Sequence, residues 1–316
     1  MITYFAKEHG RVVELDGYRP RCWAHLNPPF APGEVARFAE RFEIPVDFLS
    51  DSLDVDERSR YEREEDVRLI MINSPVVNKS GSEDNDAIYV TAPIGIVLVP
   101  ELTVTITSAT ETIIQRFVDG QVRSFEPEDY RGFVLRILEQ NVYRFTAYLR
   151  ELNKRRNAIE RELYDSSRNR ELRQLLSIEK SLVFFVNSLS TNELLKLKMK
   201  RTDFLQLRDD EDKADLFEDI IIDNSQALEM SNVYTNILSG TMDAYSSIIS
   251  NNLNVVIQRL TLITIVLTVP TLVASLYGMN VPLPGSTSRW AFAAVIGASV
   301  VLSGVMVWYF QRKRLI

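Results

Sequence analysis

The chain has 316 residues, with 43 acidic side chains against 36 basic ones and a formal net charge of −7. That balance excludes a nucleic-acid partner, which would need a basic face. A lone cysteine, Cys22, excludes an internal disulfide and suits a reducing compartment, and two histidines beside it leave no catalytic constellation, so no enzyme activity is expected.

The start, MITYFAKEHGRVVELDG, has neither a basic opening nor an apolar run, so no signal peptide is expected. Residues 1–125 read as a mixed α/β domain. Short strands are expected at 3–6 and 11–15 around the His9-Gly10 turn, at 23–28 running into a proline stop, and at 67–72 and 88–91. Segments 94–99 and 102–107 form a hairpin across Pro100-Glu101. Pro32-Gly33 opens a helix through Phe42, and Pro45 another through about Leu53. Cys22 and His25 form a Cys-x-x-His pair, but a structural zinc needs four ligands and the other histidine is His9. They are read as a core thiol and a strand-edge imidazole.

Helix dominates from Pro127. Residues 126–208 read as antiparallel helices. The first, 128–165, carries Phe133, Ile137, Val142, Phe145, Leu149 and Leu152 at helical spacing, and Ser166-Ser167 separates it from the second, 170–199. A third helix, 209–276, begins at Asp209 and meets no certain stop between Lys213 and Leu276. At about 1.5 Å per residue, that is a rod on the order of 90 Å, running from a soluble region into a membrane span. Acids crowd its start, and Asp212, Asp215, Asp219 and Asp223 share one face. One reading is a solvated helix start whose acids complement the dipole. The other is a carboxylate row that holds a hard divalent cation with help from a second subunit.

Residues 255–276 are long enough to cross a bilayer, and residues 260–288 carry no charge. Steps of three and four from Asn254 meet Ile257, Thr261, Thr264, Thr268, Thr271 and Ser275; the same steps backwards meet Ser250, Ser247 and Asp243. Leu260 lies beside this row. The opposite faces carry Val256, Leu262, Ile263, Val266, Leu267, Val269 and Val273. Hydroxyls inside a span either pack on a neighbouring helix and bond back to their own carbonyls, or line water. Their register, continued outside the span by Asn and Asp, favours water. Pro270 interrupts the span and frees a carbonyl that needs a partner such as a threonine hydroxyl. Residues 290–311 form a second span anchored by Trp290, Trp308 and Tyr309. Residues 312–316 are a basic tail that marks the cytoplasmic side, so a two-span hairpin places both termini there. Residues 277–289 are then the external loop. One striped helix cannot enclose a pore, so several copies must surround an axis with the second span facing lipid. Ile257 and Leu260 either pack between subunits or form a constriction that closes by dewetting. Arg259, beside the stripe, meets lipid headgroups.

Tyr277-Gly278-Met279-Asn280, followed by a short loop, a second span and a basic tail, resembles the signature of the CorA family of divalent-cation channels. The resemblance covers the chain and is strongest over residues 243–316. It implies an α+β membrane protein: an N-terminal cytoplasmic α/β sheet domain, long helices forming a funnel, and two C-terminal transmembrane helices. It implies a homopentamer in the cell membrane that admits Mg²⁺, with Co²⁺ or Ni²⁺ as further cargo, and needs no organic cofactor. Gly278, Met279 and Asn280 would select the hydrated ion, with Gly278 letting the backbone turn tightly, and Ile257 would narrow the pore. Regulatory Mg²⁺ would sit between subunits at Asp219, with Asp215 and Asp223 on the same face, and Asp243 would offer a further carboxylate above the membrane. The partner acid of that regulatory site is replaced here by Asn78, with Glu83, Asp84 and Asp86 beyond it. The loop has no acid and carries Arg289. Two alternatives stand. A Zn²⁺ transporter of the same superfamily is opposed by Met279. A non-transporting membrane-tethered adaptor has no use for a hydroxyl stripe.

Overall fold

The computed structural model describes residues 1–79, 86–109, 112–122, 125–165, 169–279 and 290–313. The chain divides into two units, Met1–Met242 and Asp243–Ile316.

In the first unit seven strands form one sheet. They are β1 (Ile2–Glu8), β2 (Arg11–Leu15), β3 (Cys22–Leu26), β4 (Arg60–Glu64), β5 (Val67–Val77), β6 (Tyr89–Val99) and β7 (Leu102–Thr107), in the order β2-β1-β3-β7-β6-β5-β4. Only β3 and β7 pair in parallel; the other neighbours are antiparallel. The central strands are buried on both faces, because alternate side chains feed two cores. Cys22, Ala24 and Leu26 of β3 join Phe38, Phe48 and Leu49 from α1 (Glu34–Arg41) and α2 (Val46–Ser50) on one side. A 3-10 turn, Asp51–Leu53, follows α2 and lies so close to the sheet that a Cβ on Gly95 would come within 2.6 Å of Ser52 Cβ. On the other side Trp23 stacks edge-on against Phe133 at 5.1 Å between centroids, and its indole N–H donates to Thr105 Oγ1 at 2.8 Å. Phe133 opens α4 (Tyr130–Asp165), and α3 (Ile114–Val118) adds Phe117 to the same aromatic group. Burial of each such ring contributes about 1.5–3 kcal/mol.

α5 (Asn169–Thr202) lies beside α4, and both bond to one residue of the sheet, Asn73. The carbonyl of Asn73 accepts from Asn141 of α4 at 3.0 Å and Asn192 of α5 at 2.8 Å, while its N–H donates to Asn192 Oδ1 at 3.0 Å. β4 pairs with β5 only as far as Met71, so these amides take up backbone groups that a strand would otherwise need. Pro75, two residues on, lacks an N–H altogether.

The third long helix, α6, spans Glu211–Tyr277 and contains Pro270. In the first unit it packs on α5 through Phe217, Ile220, Asn224 and Ala227, all buried. Lys196 of α5 is fully buried there and donates to Asn224 Oδ1 at 2.6 Å; Asn224 in turn donates to the Leu189 carbonyl at 3.0 Å. Burial lowers the Lys196 pKa to about 7, and the charge of Glu193 offsets only part of that desolvation.

The second unit holds the remainder of α6 and α7 (Ala291–Arg312). Both helices are long and apolar enough to cross a membrane, with mean hydropathies of 2.0 and 1.9 over their most apolar stretches. The buried and half-buried stripe of α6 runs Leu262, Val266, Val269 and Val273; that of α7 runs Val295, Ser299, Ser303, Met306 and Phe310. The two are joined where Ser303 Oγ donates to the carbonyl of Val266 at 3.4 Å.

Candidate ion pathway and acidic helix face

Asn254, Ile257, Leu260, Thr261, Thr264, Thr268, Thr271 and Ser275 are all exposed in the single chain. At 100° per residue the centre of this row lies about 150° round α6 from the Leu262–Val273 seam against α7. The stripe and the helix contact therefore use different faces.

Four hydroxyls bond back to the helix. Thr261 donates to the Ile257 carbonyl at 2.8 Å, Thr264 to Leu260 at 2.9 Å, Thr268 to Thr264 at 2.8 Å and Thr271 to Leu267 at 3.0 Å. This back-bonding was one of the two uses open to them, yet it leaves the other intact. A hydroxyl has one hydrogen to give and two lone pairs. With the hydrogen committed inward, the exposed face offers acceptor oxygens only.

Gly278 does not adopt the left-handed backbone expected of a tight turn. Its N–H continues the helical pattern to Ala274 at 2.9 Å, and Met279 N–H reaches Leu276 at 3.4 Å. A Cβ there would lie 3.3 Å from the Ala274 carbonyl oxygen, a tight contact. Met279 is half exposed, at 53%. Asn280 lies outside the described residues.

On the other part of α6, Asp212, Asp215, Asp219 and Asp223 are exposed and make no ion pair among the described residues. Their neighbours are engaged. Asp210 accepts from the Lys213 N–H at 3.1 Å and pairs with its ammonium at 2.8 Å, which holds the Asp210 carboxyl below its usual range. Glu218 pairs with Lys200 of α5. Asp223 lines a groove of about 400 Å³ between α4 and α6 together with Arg150, so a cation beside it meets a competing charge. Asp243 is exposed and lies in the second unit. Among the described residues one chain brings no three His, Cys, Asp or Glu side chains together to hold a metal ion.

Asn78 is not a carboxylate substitute. Its side-chain N–H donates to the Ala87 carbonyl at 2.9 Å and its backbone N–H to Ile88 at 3.0 Å, closing the far end of the β5–β6 hairpin. A carboxylate could not make the first bond. Asp86 is taken as well: Lys180 of α5 bonds it at 2.5 Å and Ser177 at 3.3 Å. The Lys180 hydrogen bond lowers the Asp86 pKa. Glu83 and Asp84 lie outside the described residues. Cys22 is buried, and His25 faces Thr105 Oγ1 at 2.9 Å, with burial lowering its pKa to about 4. Neither is placed to bind metal.

Ser303 is the residue that sequence reasoning missed. The signal was present, because Pro270 orphans the carbonyl four residues before it, and a second-span serine at matching depth can reach that carbonyl.

An α/β sheet unit joined by one continuous helix to a pair of apolar helices defines a two-span membrane protein of the α+β class. A family model described as "CorA-like Mg2+ transporter protein" matches residues 21–313, and the chain belongs to that family. It is 27% identical over 312 residues to the cobalt/magnesium transport protein CorA of Methanocaldococcus jannaschii, covering 97% of this chain and 92% of that one. The complete structure of the CorA magnesium transporter from Methanocaldococcus jannaschii matches the fold with a TM-score of 0.83 at 24% identity, over 100% of this chain and 99% of that one. The cytoplasmic domain of ZntB from Vibrio parahaemolyticus shares the fold at a TM-score of 0.61 and 11% identity, over 79% of this chain and 98% of that one.

Proposed function

We propose that this chain is one subunit of a homopentameric channel that admits Mg²⁺ down the membrane potential, with both termini cytoplasmic. The observation that carries the reading is the acceptor-only stripe at Thr261, Thr264, Thr268 and Thr271. A hydrated cation presents water hydrogens outward, and a row of hydroxyl oxygens with their own hydrogens turned inward receives them. An anion, whose waters point the other way, finds no donors there.

Mg²⁺ dehydrates reluctantly. Selection at the mouth therefore works through the ion's waters, with Asn280 amides in a ring and Gly278 and Met279 carrying them. Two charges crossing 100 mV gain about 4.6 kcal/mol, so inward movement needs no nucleotide. Ile257 and Leu260, 52% and 64% exposed in one chain, narrow the path where several copies meet. Exposed Asp215, Asp219 and Asp223 present carboxylates that a cytoplasmic Mg²⁺ bridges to a neighbouring subunit. Closely set carboxylates repel without the ion, so its loss separates the subunits and opens the constriction. Co²⁺ and Ni²⁺ hold their waters in the same arrangement and are further cargo.

The test is cation uptake into liposomes holding the purified protein, with Mg²⁺, Co²⁺, Ni²⁺ and Zn²⁺ compared, wild type beside Asn280→Ala. Saturable Mg²⁺ uptake that Asn280→Ala abolishes in an assembled protein is the expected result. Wild-type flux in Asn280→Ala removes the selector role, uptake of Zn²⁺ alone reassigns the cargo, and no uptake of any cation overturns transport.

A further inference from the structure

From residue 244 to residue 316 there is no aspartate or glutamate, while Arg259, Arg289, Arg312, Lys313 and Arg314 supply five cations. Within the second unit the remaining acid is Asp243, sixteen residues along α6 from Arg259, or about 24 Å of helix. No Asp or Glu side chain of this unit therefore reaches the cations at its end.

The Ser303–Val266 bond sets the register of the antiparallel pair α6 and α7. Counting outward from that bond places Arg259 level with Phe310, and Lys313 about 5 Å further along the axis. Arg259 also continues the seam stripe of α6 by one turn from Leu262, and Lys313 continues that of α7 by one turn from Phe310. Both cations stand at the open end of one apolar seam. Arg312 points away from the seam at the same height, where its guanidinium lies 5.3 Å from the ring of Trp308. Trp308 and Tyr309, 57% and 51% exposed, have the amphipathic rings that settle at the headgroup layer.

We propose that the end of the α6–α7 seam binds the phosphate of an anionic phospholipid, held by Arg259 and Lys313, with its acyl chain along the seam. Arg312 on Trp308 adds charge on the outer side. A guanidinium binds phosphate oxygens in pairs, and an ammonium adds a mobile donor. Arg259 stands two residues from Ile257, so an occupied site ties the lipid to the part of α6 that carries the constriction.

The experiment uses the full-length protein in mild detergent, stripped of lipid and titrated with phosphatidylglycerol, phosphatidylcholine or inorganic phosphate, with bound lipid counted by native mass spectrometry. Phosphatidylglycerol is expected to be retained over phosphatidylcholine. Arg259→Gln and Lys313→Gln should each lower its affinity about fivefold, and their combination about 25-fold, from a near-surface contribution of about 1 kcal/mol per cation. Arg289→Gln, a cation that the sequence puts between the spans, should leave the preference unchanged. Equal retention of both lipids, or a preference that survives the double variant, overturns the proposal. Displacement of phosphatidylglycerol by millimolar inorganic phosphate also overturns it, as the site would then take a soluble anion. Should the double variant fail to assemble, the wild type decides. Its preference must weaken as the screening length falls from about 10 Å at 0.1 M salt to about 3 Å at 1 M. A salt-independent preference refutes the charge-based site.

Discussion

Ser303 of α7 donates its hydroxyl to the backbone carbonyl of Val266 in α6 at 3.4 Å. That carbonyl is the one that Pro270 leaves without a helical donor, so one span repairs the other. Ser303→Ala is expected to lower unfolding stability in detergent by about 1 kcal/mol. Pro270→Ala restores an N–H to the helix, so the cost of Ser303→Ala should shrink in that background. A double-mutant cycle followed by unfolding checks this, and equal costs in the two backgrounds would refute it.

The hydroxyl stripe makes a second prediction. Thr268→Val and Thr271→Val remove acceptor oxygens from the exposed face and should reduce Mg²⁺ flux severalfold. Val266→Thr adds a hydroxyl on the α7 seam and should leave flux near wild type. Equal flux in all three, in liposomes of matched protein content, would show that the stripe lies off the path.

Regulation makes a third. Asp219→Ala should weaken the protection that Mg²⁺ gives the large unit against protease, because Asp219 is exposed and makes no ion pair among the described residues. Asn78→Asp is expected to act through the fold instead. It deletes the bond to the Ala87 carbonyl and costs about 1 kcal/mol, with no rise in Mg²⁺ sensitivity. Identical protection curves for wild type and Asp219→Ala would make Asp219 a solvated helix acid.

Buried Lys196 predicts a dependence on pH. Its pKa falls from 10.5 to about 7 on folding, so the unfolded chain binds more protons between those values. Stability from this group is complete above pH 10.5 and is lost as pH falls towards 7, a difference of roughly 5 kcal/mol across the window. Denaturant unfolding should show wild type gaining about 2 kcal/mol from pH 7 to pH 9, and Lys196→Met should flatten that slope. A slope unchanged in Lys196→Met would assign the dependence to other groups.

The sheet was legible in part: residues 88–91 and 94–99, read as two strands, are one strand, Tyr89–Val99, and the strand read at 67–72 runs on to Val77. The β6–β7 hairpin across Pro100-Glu101 has the expected bounds at Val99 and Leu102, because its apolar run has no other use. β4, with the sequence RYERE, was not legible: an edge strand is held by backbone pairing on one side and needs no apolar pattern. α3 escaped because its five residues are too few for a helical period. The acidic face and the hydroxyl stripe were readable from helical spacing alone. The engagement of Asp86 by Lys180, 94 residues away, was not, since it depends on how α5 crosses the end of the hairpin.

The charges on β4 have a consequence for assembly. Arg60 is clamped by Asp51, Glu57 and Glu62, and Glu62, Arg63 and Glu64 stand exposed along the outer side of the sheet. A foreign strand adding here would have to break those pairs and lie against charges of both signs. The opposite border, β2, is five residues long and exposes Arg11 and Glu14. Charge on one border and shortness on the other disfavour strand addition, so a newly made chain is guarded against β-type aggregation along both edges of its sheet.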